Sequence, residues 1–117
     1  MKDTIIFSIE NTLCPIAFAL RVIEGKWKLP IIWVLCKNGT LRYNQLKKSI
    51  PGISNMMLSS SLKELEESGL VNRVQYNEIP PRVDYSLAEA GEKILPVLDG
   101  FAKWGEELMK MKADKKL

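Results

Sequence analysis

Apolar residues recur at helical spacing along the first third of the chain. A run from Pro15 to Ile23 predicts a first helix, because proline is preorganised for a first helical position, and Gly25 ends it. The segment from Lys26 to Lys37 is apolar on nearly all sides, with Pro30 in the first turn, where a missing N–H is tolerated. This second helix is therefore predicted at the centre of the core.

Two further helices are predicted around a short turn. Residues 40–42 are extended, and residues 43–50 form a short amphipathic helix that stops at Pro51-Gly52. Ser54 is a good N-cap for a helix from Asn55 to Ser68, which ends before Gly69. The apolar positions of this fourth helix keep helical spacing at Met57, Leu58, Leu62 and Leu65.

After Leu70 the period of the apolar positions changes to two, at Val74 and Tyr76 and again at Val83, Tyr85 and Leu87, which predicts a β-hairpin. The tip spans residues 77–81 and is stiffened by two prolines, with Arg82 at its base. From Ser86 to Leu117 the pattern is again helical, kinked or divided near Pro96. The apolar stripe of this last helix exceeds what one small core can cover, so we expect it to pair with a second copy of the chain.

The order of these elements is helix, helix, short strand, helix, turn, helix, hairpin, helix. It predicts a mainly α fold with a small β-hairpin, namely a winged helix-turn-helix domain with a C-terminal dimerisation helix. In such a domain the fourth helix can lie in the major groove of DNA. We divide the chain into an N-terminal extension at 1–13, the domain at 14–105, and the end of the last helix with a tail at 106–117.

Length and composition favour one globular domain. The chain has 117 residues, of which 46% are hydrophobic and 26% charged. No apolar run approaches the roughly 20 residues needed to cross a bilayer, and the start shows no small-residue cleavage site. We therefore expect a cytoplasmic protein that makes no contact with a membrane.

Positive charge is concentrated in one part of the chain. Residues 21–63 hold eight Lys or Arg against the single acid Glu24, whereas the remainder is net acidic and the whole chain carries only +3. Such a distribution is typical of proteins that bind the phosphate backbone. A winged helix that binds only protein or RNA stays an alternative, since the fold does not fix the function.

The chemistry of an enzyme or a metal site is missing from the sequence. There is no histidine, and the two cysteines, Cys14 and Cys36, are too few for a zinc site or a disulfide scaffold. No Gly-rich phosphate loop is present, and Cys14 has no usual base. We predict that the chain is not an enzyme and holds no metal or cofactor.

Several short motifs follow one another along the chain. They are Cys14-Pro15, Gly25-Lys26-Trp27-Lys28, Pro51-Gly52-Ile53-Ser54, Leu62-Lys63-Glu64-Leu65-Glu66, Gly69-Leu70-Val71, Pro80-Pro81-Arg82-Val83-Asp84-Tyr85-Ser86-Leu87, Pro96-Val97-Leu98 and Trp104-Gly105. In this order they resemble the HxlR family of bacterial transcriptional regulators. The resemblance implies a cytoplasmic homodimer that binds operator DNA as a repressor or activator. It also implies, as in several members, a response to thiol-reactive or oxidising compounds through the cysteine at the position of Cys14.

Residues of the fourth helix are the candidates for contact with double-stranded DNA. Asn55 is suited to an adenine edge, and Lys63 to a phosphate. Met56 stands where family members often carry a basic or amide residue. The predicted set on this helix and its N-cap is Ser54, Asn55, Met56, Ser59, Ser60 and Lys63.

Basic side chains elsewhere are expected to supply affinity that does not depend on sequence. Arg82 of the wing is predicted to enter the minor groove or to touch phosphate. Phosphate contacts are also predicted for Lys26, Lys28, Arg42, Lys47 and Lys48.

Cys14 is the candidate redox sensor. It directly precedes a helix-opening proline, and the partial positive charge of a helix N-terminus favours a thiolate. A small buried hydrophobe is the alternative interpretation. Cys36 lies in the most apolar helix, where burial should raise its pKa and keep it inert, and a disulfide to Cys14 or across a dimer stays open.

Overall fold

A computed structural model describes residues 7, 8, 10 and 13–115. The predicted extension at residues 1–13 therefore lies mostly outside the described residues, as do the last two residues of the tail. The described elements are α1 (Pro15–Ile23), α2 (Lys28–Asn38), β1 (Leu41–Arg42), α3 (Tyr43–Ser49), α4 (Asn55–Glu67), β2 (Val71–Tyr76), β3 (Arg82–Leu87), α5 (Glu89–Glu92) and α6 (Leu95–Lys115).

The first four helices begin and end close to their predicted bounds. Pro15 opens α1, and Gly25 follows its end with a φ of 111°, a value that a glycine adopts without strain. Ser54 caps α4 as predicted, because its Oγ accepts the Met57 N–H at 3.1 Å. Only α2 is displaced, since it begins at Lys28 and not at Lys26.

The predicted helix from Ser86 was wrong at its start. Ser86 and Leu87 belong to β3, where they pair with Asn72 and Val71 of β2. The helical region begins at Glu89 and is divided as predicted near Pro96, which lies in the first turn of α6.

A three-stranded antiparallel sheet closes one side of the domain, with the strand order β1-β3-β2. β2 and β3 form the predicted hairpin, which extends from Val71 opposite Leu87 to Tyr76 opposite Arg82. The short strand β1 adds to the other edge of β3, with Leu41 opposite Tyr85. The structure is thus the mainly helical winged helix domain that the sequence predicts.

The core is built around α2, as its apolar composition predicts. Ile31, Ile32 and Leu35 of α2 are buried and belong to one cluster with the inner faces of α3, α4 and the sheet. The other buried members are Leu46, Ile50, Ile53, Leu58, Leu62, Leu65, Val71, Tyr85 and Leu98. Because this cluster includes residues on both sides of the helix-turn-helix, it fixes the position of α4 in the domain.

Two helices leave apolar faces exposed. α1 buries only Ala17, and α6 buries only Leu98. Between α2 and α6 lies an apolar groove of about 370 Å³. The exposed side chains are Leu13, Ile16, Phe18 and Leu20 near α1, and Val97, Phe101, Trp104, Met109 and Met111 on α6. No helix in the described part of the chain is long and apolar enough to span a membrane.

Candidate nucleic-acid interface

A short turn joins α3 to α4 and forms a helix-turn-helix. Gly52 has a φ of 93°, which suits a glycine, and the Ile53 N–H donates to the Ile50 carbonyl at 3.2 Å. Both isoleucines are buried. The turn is therefore anchored in the core on the side opposite to solvent.

The predicted contact residues of α4 share one exposed face. Asn55, Met56, Ser59, Ser60 and Lys63 are all exposed and follow the spacing of neighbouring turns. Met56 is the most exposed of the large apolar side chains on α4, with 77% of its surface exposed. The opposite face is buried in the core, so this polar face is what α4 offers to a partner.

Hydrogen bonds hold several of these polar side chains. The Tyr43 hydroxyl lies 3.1 Å from the Asn55 carbonyl, 3.1 Å from Asn55 Oδ1 and 3.1 Å from Ser59 Oγ. Ser60 Oγ donates to the Met57 carbonyl at 3.3 Å. Tyr43 was not among the predicted site residues, and its role was hidden because only the folded chain brings it beside α4.

No acidic residue lies between Glu24 and Glu64 in the sequence, so α3 and the first turns of α4 carry basic charge alone. Arg42 and Lys48 are exposed and Lys47 is half-buried at α3, while Lys63 is exposed on α4. Among the described residues, none of the four forms an ion pair. The positive charges of these four side chains are therefore not held in ion pairs within the described residues.

Lys26 and Lys28, the two predicted phosphate contacts near the start of α2, differ in their surroundings. Lys26 is exposed, with its Nζ 4.9 Å from the centre of the Trp27 ring. Lys28 is only 8% exposed, and its Nζ lies 2.8 Å from Glu64 Oε1. Contrary to the sequence-based expectation, Lys28 is not available to a phosphate, because it is buried and already paired.

Arg82 opens β3 at the tip end of the hairpin, where three neighbours hold it. Its Nη1 lies 3.6 Å from Glu78 Oε2 and its Nε lies 3.5 Å from Asp84 Oδ1. The guanidinium carbon lies 4.1 Å from the centre of the Tyr76 ring. Arg82 therefore contacts two carboxylates within the wing, and its single positive charge is already compensated.

A groove of about 490 Å³ separates the wing from the start of α3. Arg42 and Tyr43 line one side, and Pro80, Pro81 and Arg82 line the other. This places Arg82 on the same side of the molecule as the start of the helix-turn-helix.

Arg73 is a further basic residue that the sequence did not single out. It lies on β2 opposite Tyr85 and, with Ser59 and Lys63, borders a smaller groove between α4 and the sheet. Glu66 borders the same groove. Alternation along β2 predicted the apolar positions of the strand. The same period of two places Arg73 on the face of the sheet opposite Val74, and this signal could have identified it.

Comparison with known proteins agrees with this geometry. Residues 22–113 match the model of the HxlR-like helix-turn-helix family. The chain belongs to this family.

Relatives of this HxlR-like chain are regulators of transcription. An HTH-type transcriptional regulator from Methanothermobacter thermautotrophicus is 45% identical over 97 residues, which cover 83% of this chain and 73% of the relative. A crystal structure of a protein assigned to the MarR family of transcriptional regulators, from Porphyromonas gingivalis W83, is 46% identical with a TM-score of 0.78. That match covers 86% of this chain and 96% of the other. The chain is accordingly a helix-turn-helix transcriptional regulator and, as predicted, not an enzyme.

One similar structure is that of a redox regulator, HypR, in its oxidised form. It is 39% identical to the HxlR-like chain, with a TM-score of 0.74, and the match covers 80% of this chain and 96% of HypR. Because thiols are the usual redox-sensitive side chains, this similarity is relevant to the two cysteines of the chain.

Both cysteines of the HxlR-like chain are free and half-buried. Cys14 lies at the N-cap position of α1, and its carbonyl accepts the Phe18 N–H at 2.9 Å. Burial raises the pKa of the Cys36 thiol, and Asp99 and Glu92 raise it further, although Lys37 acts in the opposite direction. Cys36 is thus protonated at neutral pH, as the sequence predicts.

Proposed function

We propose that the chain is a sequence-specific DNA-binding regulator of transcription that acts in the cytoplasm as a homodimer on pseudo-palindromic operator DNA. The observation that carries this proposal is the exposed face of α4, which has polar side chains and Lys63 but no carboxylate in its first turns. Beside it lie the cations of α3, which also lack acidic partners among the described residues.

In the proposed complex α4 lies in the major groove. Asn55 and Met56 contact base edges, and Ser54 and Ser60 bond bases or phosphates. Ser59 lies on the same face, with its hydroxyl 3.1 Å from that of Tyr43. Each basic side chain that reaches a phosphate releases counterions and adds about 0.9 to the slope of log affinity against log salt. The residues with this role are Lys26, Arg42, Lys47, Lys48 and Lys63.

The wing approaches the DNA backbone next to α3. Arg82 supplies its positive charge, and to contact a phosphate its guanidinium exchanges Glu78, now at 3.6 Å, for the DNA. The wing is therefore a weaker contact than α4, because it carries its own acidic competitors.

Two copies of the chain pair through the exposed apolar faces of α1 and α6. Pairing removes from water the side chains that one copy leaves uncovered, among them Phe18 and Phe101. The two α4 helices then lie about 34 Å apart, which matches half-sites one helical turn apart.

Fluorescence anisotropy tests the proposal, with DNA from upstream of the chain's own and neighbouring genes against shuffled DNA of the same length. We expect tight binding to one fragment, a steep salt dependence and a plateau at two chains per site. Lys63→Ala should lower the affinity and reduce the salt slope by about 0.9. Lys110→Ala on α6 is the matched control and should change neither.

Equal and weak binding to every fragment would overturn the proposal and favour a winged helix that binds a protein or RNA partner. A plateau at one chain per site would overturn the homodimer alone. Specific binding with an unchanged Lys63→Ala salt slope would remove Lys63 from the contact set.

A redox response through Cys14 is the second part of the proposal, and the similarity to HypR favours it. Cys14 directly precedes α1, whose exposed apolar face belongs to the proposed dimer surface. Oxidation of its thiol, or alkylation by a thiol-reactive small molecule, would shift the two copies relative to each other and so change operator affinity.

Operator binding during an oxidant titration tests this response. The parent protein should change its affinity, Cys14→Ser should not, and Cys36→Ser should behave like the parent because its thiol is protonated. A Cys14→Ser protein that responds like the parent would remove the redox hypothesis and leave DNA binding untouched.

A further inference from the structure

The hydroxyl of Tyr43 is the centre of a small network at the start of α4. Three oxygen atoms lie 3.1 Å from it, namely the Asn55 carbonyl, Asn55 Oδ1 and Ser59 Oγ. A phenol has one proton to donate, and a carbonyl oxygen can only accept. The single proton of Tyr43 is therefore shared between the carbonyl oxygen and Oδ1 of Asn55, and the Tyr43 oxygen accepts the proton of Ser59.

This network divides the Asn55 side chain into an inner and an outer half. Oδ1 faces Tyr43 on α3, so the amide nitrogen Nδ2 is the half that remains for a partner. Within the described residues, Nδ2 takes part in no hydrogen bond. The Ser59 hydroxyl is drawn inwards by the same contact, so it is not free to donate to a base.

The face that is left has a definite chemical character. Nδ2 of Asn55 and Nζ of Lys63 are donors, and Met56 between them is apolar and exposed. In the major groove, guanine offers the acceptors N7 and O6, adenine offers N7, and thymine offers O4 beside a methyl group. The usual pairing of asparagine with adenine needs both halves of the amide, because Oδ1 must accept from the adenine amino group.

We propose that Tyr43 is a positioning residue that sets the base preference of Asn55. Oδ1 keeps a second lone pair, but its contact with Tyr43 holds it towards α3 and away from the groove. Asn55 therefore reads the N7 acceptor of a purine through Nδ2 alone and does not separate adenine from guanine. This inference rests on the proposed DNA binding by α4. It replaces the adenine preference expected from the sequence with a purine preference.

Selection of binding sites from a random duplex DNA library tests the inference. The wild-type chain should enrich a motif in which one position accepts adenine and guanine within about threefold, and Asn55→Ala should abolish the preference at that position. Tyr43→Phe releases Oδ1, so adenine should then be preferred over guanine by about tenfold, the discrimination of a bidentate pair. Tyr76→Phe is the matched control, since it removes a phenol hydroxyl of the wing that makes no hydrogen bond within the described residues, and it should leave the motif unchanged.

Asn55→Asp is a second variant that leaves Tyr43 in place. Its inner oxygen still accepts from Tyr43, but its outer atom becomes an acceptor, so the preference should move from purine to cytosine, whose amino group donates. An acidic residue in the first turn of a helix is favourable, so this variant should fold even if Tyr43→Phe does not.

The outcomes separate this inference from the proposed function. A motif from the wild type that already prefers adenine tenfold would overturn the inference, as would a Tyr43→Phe protein that loses affinity for all sites equally. An Asn55→Asp protein that keeps the purine preference would overturn it too. Failure to enrich any motif would overturn DNA binding itself, and this inference with it.

Discussion

Arg82 is the residue whose contacts decide what the wing offers to DNA. The two carboxylates beside it, Glu78 and Asp84, lie within 3.6 Å and 3.5 Å of its nitrogens, and the Tyr76 ring covers one face. A phosphate must compete with both acids for the guanidinium. The ion pair with Glu78 is the weaker of the two, because the Glu78 side chain is half exposed at the tip, whereas that of Asp84 is only 20% exposed.

We predict that Glu78→Gln increases the affinity for operator DNA by roughly two- to fivefold, the range of an exposed ion pair. The change removes a competitor for Arg82 and a charge that repels phosphate. Anisotropy at two salt concentrations measures it, and the gain should shrink at the higher one. Glu107→Gln on α6 provides the control. If Glu78→Gln binds the operator with the parental affinity, the wing does not approach the DNA backbone.

The environments of Lys28 and Tyr43 could not be predicted from the sequence. A count of charges treats Lys28 like Lys63, but folding buries Lys28 against Glu64 and leaves Lys63 exposed. Tyr43 and Asn55 are twelve residues apart, and no local rule pairs a tyrosine with an amide at that separation. Which polar groups are free depends on tertiary contacts, which a single sequence does not contain.

α4 is the element on which the site is built, and two polar contacts fix its ends. Tyr43 holds its first turn to α3, and Glu64 near its other end reaches Lys28 at the start of α2. The buried leucines of α4 pack into the core on its other face. A rigid helix of this kind keeps its exposed side chains in register with base edges.

The Lys28 contact predicts a measurable difference between two ion pairs of α2. Glu64→Gln leaves a nearly buried ammonium group without its counter-charge and should lower the free energy of unfolding by about 1–3 kcal/mol. Asp99→Asn breaks the pair of Lys37 with Asp99, which is half exposed on both sides, and should cost less than about 1 kcal/mol. Urea unfolding at one fixed protein concentration compares them. Equal losses would mean that burial of Lys28 does not matter.

Element by element, local signals predicted the helices of the site better than the sheet. Ser54 and Pro15 mark helix starts through the geometry of their own residues, and both starts are correct. The alternation of β3 was predicted to reach Leu87, which is correct, but the last helix was also begun at Ser86, and pairing with β2 makes both residues a strand. Strand pairing brings together residues that are distant in sequence, so it overrides a local pattern.

At the scale of the whole molecule, a single copy of the chain leaves large apolar side chains exposed to water. Phe101 and Trp104 of α6 lie 5.7 Å apart as a ring pair, yet 57% and 55% of their surfaces are exposed. Phe18 on α1 is similarly exposed. Aromatic residues gathered on one helix face are typical of protein interfaces, and they lie on elements other than α4 and the wing.

This arrangement predicts that pairing and base contact can be separated by mutation. Phe101→Glu places a charge in the proposed dimer surface, so the chain should sediment as a monomer while its fold, measured by circular dichroism, is kept. Affinity for a full operator should then fall by at least tenfold, because a second half-site no longer adds to binding, whereas affinity for a single half-site should stay the same. Ile79→Glu introduces the same charge at the fully exposed wing tip and should leave the dimer intact. If Phe101→Glu still sediments as a dimer, the copies pair through another surface, and the spacing proposed for the two α4 helices falls with it.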